Sequence, residues 1–172
     1  MAPVGSRLLV EPHVGRTVHL GGVGVVHKVT GELTDGALSI VEHPVQPGTL
    51  VPPHVHRSED ELSYVVEGSF GVRIGDAIFE AAPGSYVFKP RNVQHTFWNA
   101  GPRLARLIEI IWPSHFEHFF DELAAAYEAG GGTPHPETIR QLGERYDVEF
   151  LMDCVPELEQ RFGVSVIHRG GQ

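Results

Sequence analysis

Four side chains in this sequence have the types and spacing of a metal site: His54, His56, Glu61 and His95. On a strand, residues i and i+2 point to the same face, so His54 and His56 aim two imidazoles at one place. Glu61 follows five residues later, far enough for the chain to round a corner and begin another strand. A carboxylate there completes one edge of the site. The fourth ligand must come from elsewhere, and the stretch Val93-Gln94-His95-Thr96-Phe97-Trp98-Asn99 is the candidate. If His95 points inward, Phe97 and Asn99 do too, and Thr96 and Trp98 face the other way. Three imidazoles and a carboxylate suit one divalent transition metal per chain: Fe, Mn, Ni, Co, Cu or Zn. A hard ion such as calcium would want more carboxylates. Four protein ligands on a six-coordinate ion leave open positions, the mark of a catalytic rather than a structural site.

These ligands need strands to hold them. From Thr17 to about Ile111, short runs rich in Val, Ile, Phe and Tyr alternate with Gly, Pro and Asp. The expected strands are residues 23–29, 38–42, 51–56, 62–67, 69–74, 77–80, 86–89, 95–99 and 104–111. Tight-turn signatures separate them at Glu67-Gly68-Ser69, Gly75-Asp76, Pro83-Gly84 and Ala100-Gly101-Pro102. Many short strands with no room for crossover helices predict an antiparallel sandwich or barrel. The first sixteen residues show no clean periodicity and read as a loosely ordered arm.

The texture changes after Pro113. Ser114 and Glu117 have capping-box spacing, and Phe116, Phe119, Phe120, Leu123 and Tyr127 then share a helical face. Gly130-Gly131-Gly132 stops that helix. A second is expected from Pro136 to about Tyr146, with Ile139 and Leu142 buried, and a third from Pro156 to Gly163. The division is therefore residues 1–112, arm plus barrel, and residues 113–172, a helical extension packed on it.

Bulk properties exclude some functions. A formal net charge of −9 argues against binding nucleic acid or an anionic membrane. The single cysteine, Cys154, makes no intrachain disulfide. The first ten residues lack a signal peptide's layout, and no apolar run reaches membrane-spanning length, so a cytoplasmic protein is expected. His13, His19, His27, His43, His115, His118, His135 and His168 read as solvated or packed; His43 is the least settled, since it lies on an expected strand. Glu59 and Asp60 read as solvated turn carboxylates, with Glu59 a substitute ligand if the turn is bulged.

Gly48 to Gly68 matches the first cupin motif, G(X)5HXH(X)4E(X)6G, at every defined position. Gly84 to Asn99 resembles the second, G(X)5PXG(X)2H(X)3N, with Gly84, Pro90, His95 and Asn99 in place. Asn92 stands where the pattern has Gly, and Asn tolerates a left-handed backbone better than most residues. The resemblance covers roughly residues 20–112. It implies a mainly β protein, a double-stranded β-helix or jelly-roll barrel, commonly a homodimer. The tail is similar to the helical region of compact bacterial-type monocupins resembling quercetin (flavonol) 2,4-dioxygenases. That resemblance implies a metal-dependent dioxygenase for a flavonol-like or other enolisable aromatic substrate, with dioxygen as a partner. Glu61 would then be the catalytic base that accepts the substrate's hydroxyl proton. Tyr64, Phe88, Phe97 and Trp112 are candidates to line an apolar substrate pocket. Two alternatives stay open: metal-assisted isomerase, cyclase or lyase chemistry, and a non-enzymatic metallo-cupin that binds a small molecule. No helix-turn-helix pattern precedes the barrel, which argues against a regulator.

Overall fold

The computed structural model describes residues 9–166. The barrel is built from β1 (Arg16–Leu20), β2 (Val23–Val29), β3 (Ser39–Val45), β4 (Thr49–Leu50), β5 (His54–His56), β6 (Asp60–Glu67), β7 (Phe70–Ile74), β8 (Ala77–Ala81), β9 (Tyr86–Lys89), β10 (His95–Asn99) and β11 (Ala105–Trp112). The tail adds α1 (Glu117–Ala129), α2 (Pro136–Arg145), β12 (Val148–Phe150), α3 (Val155–Phe162) and β13 (Ser165–Val166). One sheet runs β1-β2-β3-β11-β6-β9 and the other β12-β5-β10-β4-β13, with β7 joined to β10 and β8. This is the expected jelly roll with C-terminal helices.

Alternation decides which side chains enter the barrel. In β6, Glu61, Ser63 and Val65 are buried between half-exposed neighbours; in β11, Ala105, Leu107, Glu109 and Ile111 are. Val23, Val45, Val65, Phe70, Val72, Phe97 and Leu107 meet in the interior. A second apolar cluster joins Leu20, Val25, Val41 and Ile111 to Phe116, Phe119, Phe120 and Leu123 at the start of α1. A third seats Leu158 of α3 on Leu50 and Trp98, the outward side of β10.

Several expectations need correction. The strand expected over 51–56 shrinks to β5, His54–His56, and a separate β4 precedes it at Thr49–Leu50, because Pro52 and Pro53 have no N–H to give a ladder. No strand was expected before Val23, yet Arg16–Leu20 pairs in register with Val23–His27; of the expected arm, residues 9–15 are in neither strand nor helix. Residues 1–8 of that arm lie outside the described residues. The capping box does not form. Ser114 opens a short 3₁₀ turn with no side-chain cap, and the Glu117 carboxylate accepts the Gly31 N–H at 2.9 Å instead. The tail is more than a helical cap, since β12 pairs antiparallel with β5 and β13 pairs parallel with β4. No helix among the described residues is long and apolar enough to cross a membrane.

Candidate metal centre

The structure brings His54, His56, Glu61 and His95 together. One ligand atom from each lies within 4.8 Å of all the others, and all four residues are buried. Local sequence explains the aim of each. Pro52 and Pro53 separate β5 from β4, and His54 Nδ1 lies 2.7 Å from the Pro52 carbonyl. Asn92 takes φ 64°, the left-handed turn expected of it, and its N–H donates to the His56 carbonyl at 2.7 Å. That turn delivers the Val93 carbonyl to His95 Nδ1 at 3.1 Å. With Nδ1–H so engaged, His54 and His95 present Nε2 as the ligand atom. Across the barrel, Glu61 is paired with Lys89 of β9 and Ile111 of β11. Asp60 fastens the start of β6, accepting the Arg91 N–H at 2.7 Å and its guanidinium at 2.8 Å.

The four groups converge without satisfying one another. His56 Nε2 and His95 Nε2 are buried and have no hydrogen-bond partner. Their distances to the Glu61 carboxylate are 3.3 and 3.2 Å. Buried polar atoms are seldom left this way, and a cation at the centre would satisfy them all. The donor set therefore fits the transition metal that its chemistry suggests. Charge agrees. Burial and the neighbouring imidazoles hold His54 well below the usual histidine range, and burial lowers His95. Burial would lower His56 too, but the Glu61 and Glu59 carboxylates outweigh it and lift it to about 9. A metal would displace that proton.

Beside the site lies a buried ion network that the motif does not contain. Lys89 Nζ stands 2.8 Å from Glu61 Oε2 and 2.7 Å from Glu109 Oε2. Ser63 Oγ also donates to Glu109, at 3.0 Å. Burial works to raise Glu61, but Lys89 and His56 outweigh it and hold its carboxyl well below the usual range. Burial pushes Glu109 the other way, upward. These residues were missed in the sequence, and the signal that could have found them is parity: Ser63 shares a face with Glu61, Lys89 alternates with exposed Phe88, and Glu109 lies between inward Leu107 and Ile111.

The site opens on a cavity of about 70 Å³. His54, Glu61, Lys89 and Glu109 form its polar end; Phe97, Phe116, Phe119, Phe120 and Leu123 form its apolar walls. His43 also lines it, with Nδ1 3.0 Å from the Gly24 carbonyl. Of the residues expected in a substrate pocket, Phe97 is there. Tyr64, Phe88 and Trp112 are not. Tyr64 lies against Tyr86, which is 71% exposed, and Phe88 stacks on Trp112 at 6.1 Å on the barrel's outer face. They have the opposite parity to Glu61, Lys89 and Ile111. The aromatic stripe at the start of α1, read as core, is wall as well as core. Glu59, read as solvated, is buried. Of the other histidines, His27 is buried and His13, His19, His115, His118 and His135 are exposed; His168 lies outside the described residues.

Comparison with known proteins agrees with this geometry. Residues 41–111 match the family model of the cupin domain, and the barrel has the fold of that domain. Protein SchB of Streptomyces halstedii is 31% identical over 84 residues, which span 49% of this chain and 59% of SchB. An RmlC-like cupin from Shewanella frigidimarina superposes with a TM-score of 0.56 at 23% identity, over 64% of this chain and 95% of that one. A predicted oxalate decarboxylase from Thermotoga maritima gives 0.56 at 18% identity, over 62% and 99%. At such identities these structures show the fold alone.

Proposed function

We propose that the protein is a metal-dependent enzyme acting on an enolisable, largely apolar small molecule, by metal-assisted proton transfer of the isomerase, cyclase or lyase kind. The observation that carries this reading is the clamp on Glu61. Its Oε2 is held 2.8 Å from a buried ammonium, and its carboxyl lies well below the usual range. A carboxylate so held is a poor base for a substrate hydroxyl. It is well placed to hold a metal with His54, His56 and His95.

When bound, the metal would supply Lewis acidity to a substrate oxygen. The chain's own residues supply the rest. Lys89 puts a fixed positive charge beside the place where an enolate's negative charge would develop, and Glu109 orients that ammonium. His43 is neutral near pH 7, because burial pushes its imidazole down to about 4. Its Nδ1–H faces the Gly24 carbonyl, which leaves Nε2 to accept a hydrogen bond from a substrate hydroxyl. Phe97, Phe116, Phe119 and Phe120 exclude water.

The dioxygenase implied by the resemblance is the second reading. The ring-lined walls favour it, since aromatic side chains stack on a planar aromatic ring. It differs in needing dioxygen and in asking Glu61 to accept a proton. One experiment separates the two. Protein reconstituted with Fe, Mn, Co, Ni or Zn is given a flavonol and a set of enolisable aromatic ketones, under nitrogen and under air, with products and dioxygen both followed. Turnover under nitrogen is the expected result. Turnover only with stoichiometric dioxygen uptake would replace this reading with the dioxygenase. Saturable binding without turnover in any metal form would make the protein a binding module and sink both.

A further inference from the structure

We infer that Glu59 is the positioning residue for His56, holding its Nδ1–H so that Nε2 faces the metal. The inference rests on the metal-binding part of the reading above and on no particular reaction. Glu59 sits in the corner between β5 and β6, where Arg57 is exposed and Ser58 and Asp60 are half-buried. Glu59 alone of these turns inward, and it is 3% exposed. Burying a carboxylate without a partner is costly, so a buried one marks a position with a use. Glu59 Oε2 has no hydrogen-bond partner; neither has His56 Nδ1, and the two lie 3.6 Å apart.

The other two imidazoles show what is missing at His56. His54 and His95 each direct Nδ1 at the backbone carbonyl two residues before, from Pro52 and from Val93. His56 has no such carbonyl bond, and the group its Nδ1 faces is Glu59. A histidine that binds metal through one nitrogen gives its other N–H to a carbonyl or carboxylate, which fixes tautomer and ring orientation. The gap of 3.6 Å exceeds a good hydrogen bond by about half an ångström, a distance that a small side-chain rotation closes. Phe116 packs edge-on to the His56 ring at 4.2 Å and keeps the rotation small.

The test measures metal affinity, not turnover. Wild type, Glu59→Ala, Glu59→Gln and Asp76→Asn are titrated with Co²⁺ against a competing chelator, and the visible absorption of each Co²⁺ form is recorded at saturation. Glu59→Ala is expected to weaken Co²⁺ binding by about 10- to 100-fold. Glu59→Gln keeps an acceptor oxygen and is expected to recover most of the loss; Asp76→Asn, in an exposed turn away from the site, is expected to match wild type. At saturation the Co²⁺ bands of Glu59→Ala should match wild type, because the four ligands are the same. Unchanged affinity in Glu59→Ala would overturn the assignment. So would altered bands with Glu59→Gln as weak as Glu59→Ala, since Glu59 would then be a ligand itself. If Glu59→Ala does not fold, Glu59→Asp decides: its shorter side chain should lose affinity, and wild-type affinity there overturns the inference. A wild type that binds no Co²⁺ overturns the metal reading as a whole, an outcome distinct from the others.

Discussion

At the scale of single residues, the buried polar groups set the behaviour, and His43 gives the cleanest prediction. Its folded value, about 4, lies below the ordinary 6.5, chiefly through burial. A depressed value means that folding excludes the proton. The contribution to stability is whole above pH 6.5 and disappears as the pH falls toward 4. The difference amounts to about 3 kcal/mol. Urea unfolding of chelator-treated wild type and His43→Gln at pH 7.5 and pH 4 tests this. Wild type should lose about 3 kcal/mol more than the variant across that interval; equal losses would show that His43 does not titrate this way. Legibility at this scale followed parity. The motif spacing identified the four ligands. Tyr64, Phe88 and Trp112 were chosen for being aromatic, although each stands one step out of phase with an inward residue. Lys89 and Glu109 are in phase but charged, and charge at a core position reads as exposure until its partner is known. Their partners lie twenty residues apart, on different strands.

Among the elements, α1 has a double task. Phe116, Phe119, Phe120 and Leu123 bury one face of the helix on the first sheet, and the same side chains wall the cavity. Phe120 is 8% exposed and meets the His43 ring edge-on at 5.5 Å. Phe120→Ala should therefore cost about 3–5 kcal/mol in urea unfolding and enlarge the cavity. An apolar guest should refill the space, so saturating toluene should raise the variant's stability more than that of wild type. An equal response in both would mean that Phe120 does not bound the cavity. The helices were visible in the sequence because their apolar period extends over several turns, and α3 ends at Gly163 in the left-handed conformation such a stop requires. Strands β12 and β13 were not visible. With three and two residues they carry no period, and only pairing with β5 and β4 makes them strands. The Ser114–Glu117 spacing misled for a related reason: Gly31, 86 residues away, competes for the same carboxylate.

For the whole molecule, the division at residue 112 was drawn where the texture changes, and pairing crosses it. Residues 113–166 close one edge of the second sheet with β12, extend the other with β13, and cover Leu50 and Trp98 with α3. A chain ending at residue 112 would leave those apolar side chains and two unpaired edges in water. It should show no cooperative unfolding by circular dichroism and should bind a hydrophobic dye, whereas residues 9–166 should melt in one transition. A cooperative melt of the short chain would make the barrel an independent unit.

The pairing of β12 with β5 reaches further than stability. Val148 lies opposite His56 and Phe150 opposite His54, and both Val148 and Phe150 also wall the cavity. A guest that presses this strand outward must strain the neighbouring strand that carries two of the ligands. Occupancy of the two places is then thermodynamically linked, and such linkage is reciprocal. Whatever factor a seated guest imposes on the grip for the ion, the ion imposes on the grip for the guest.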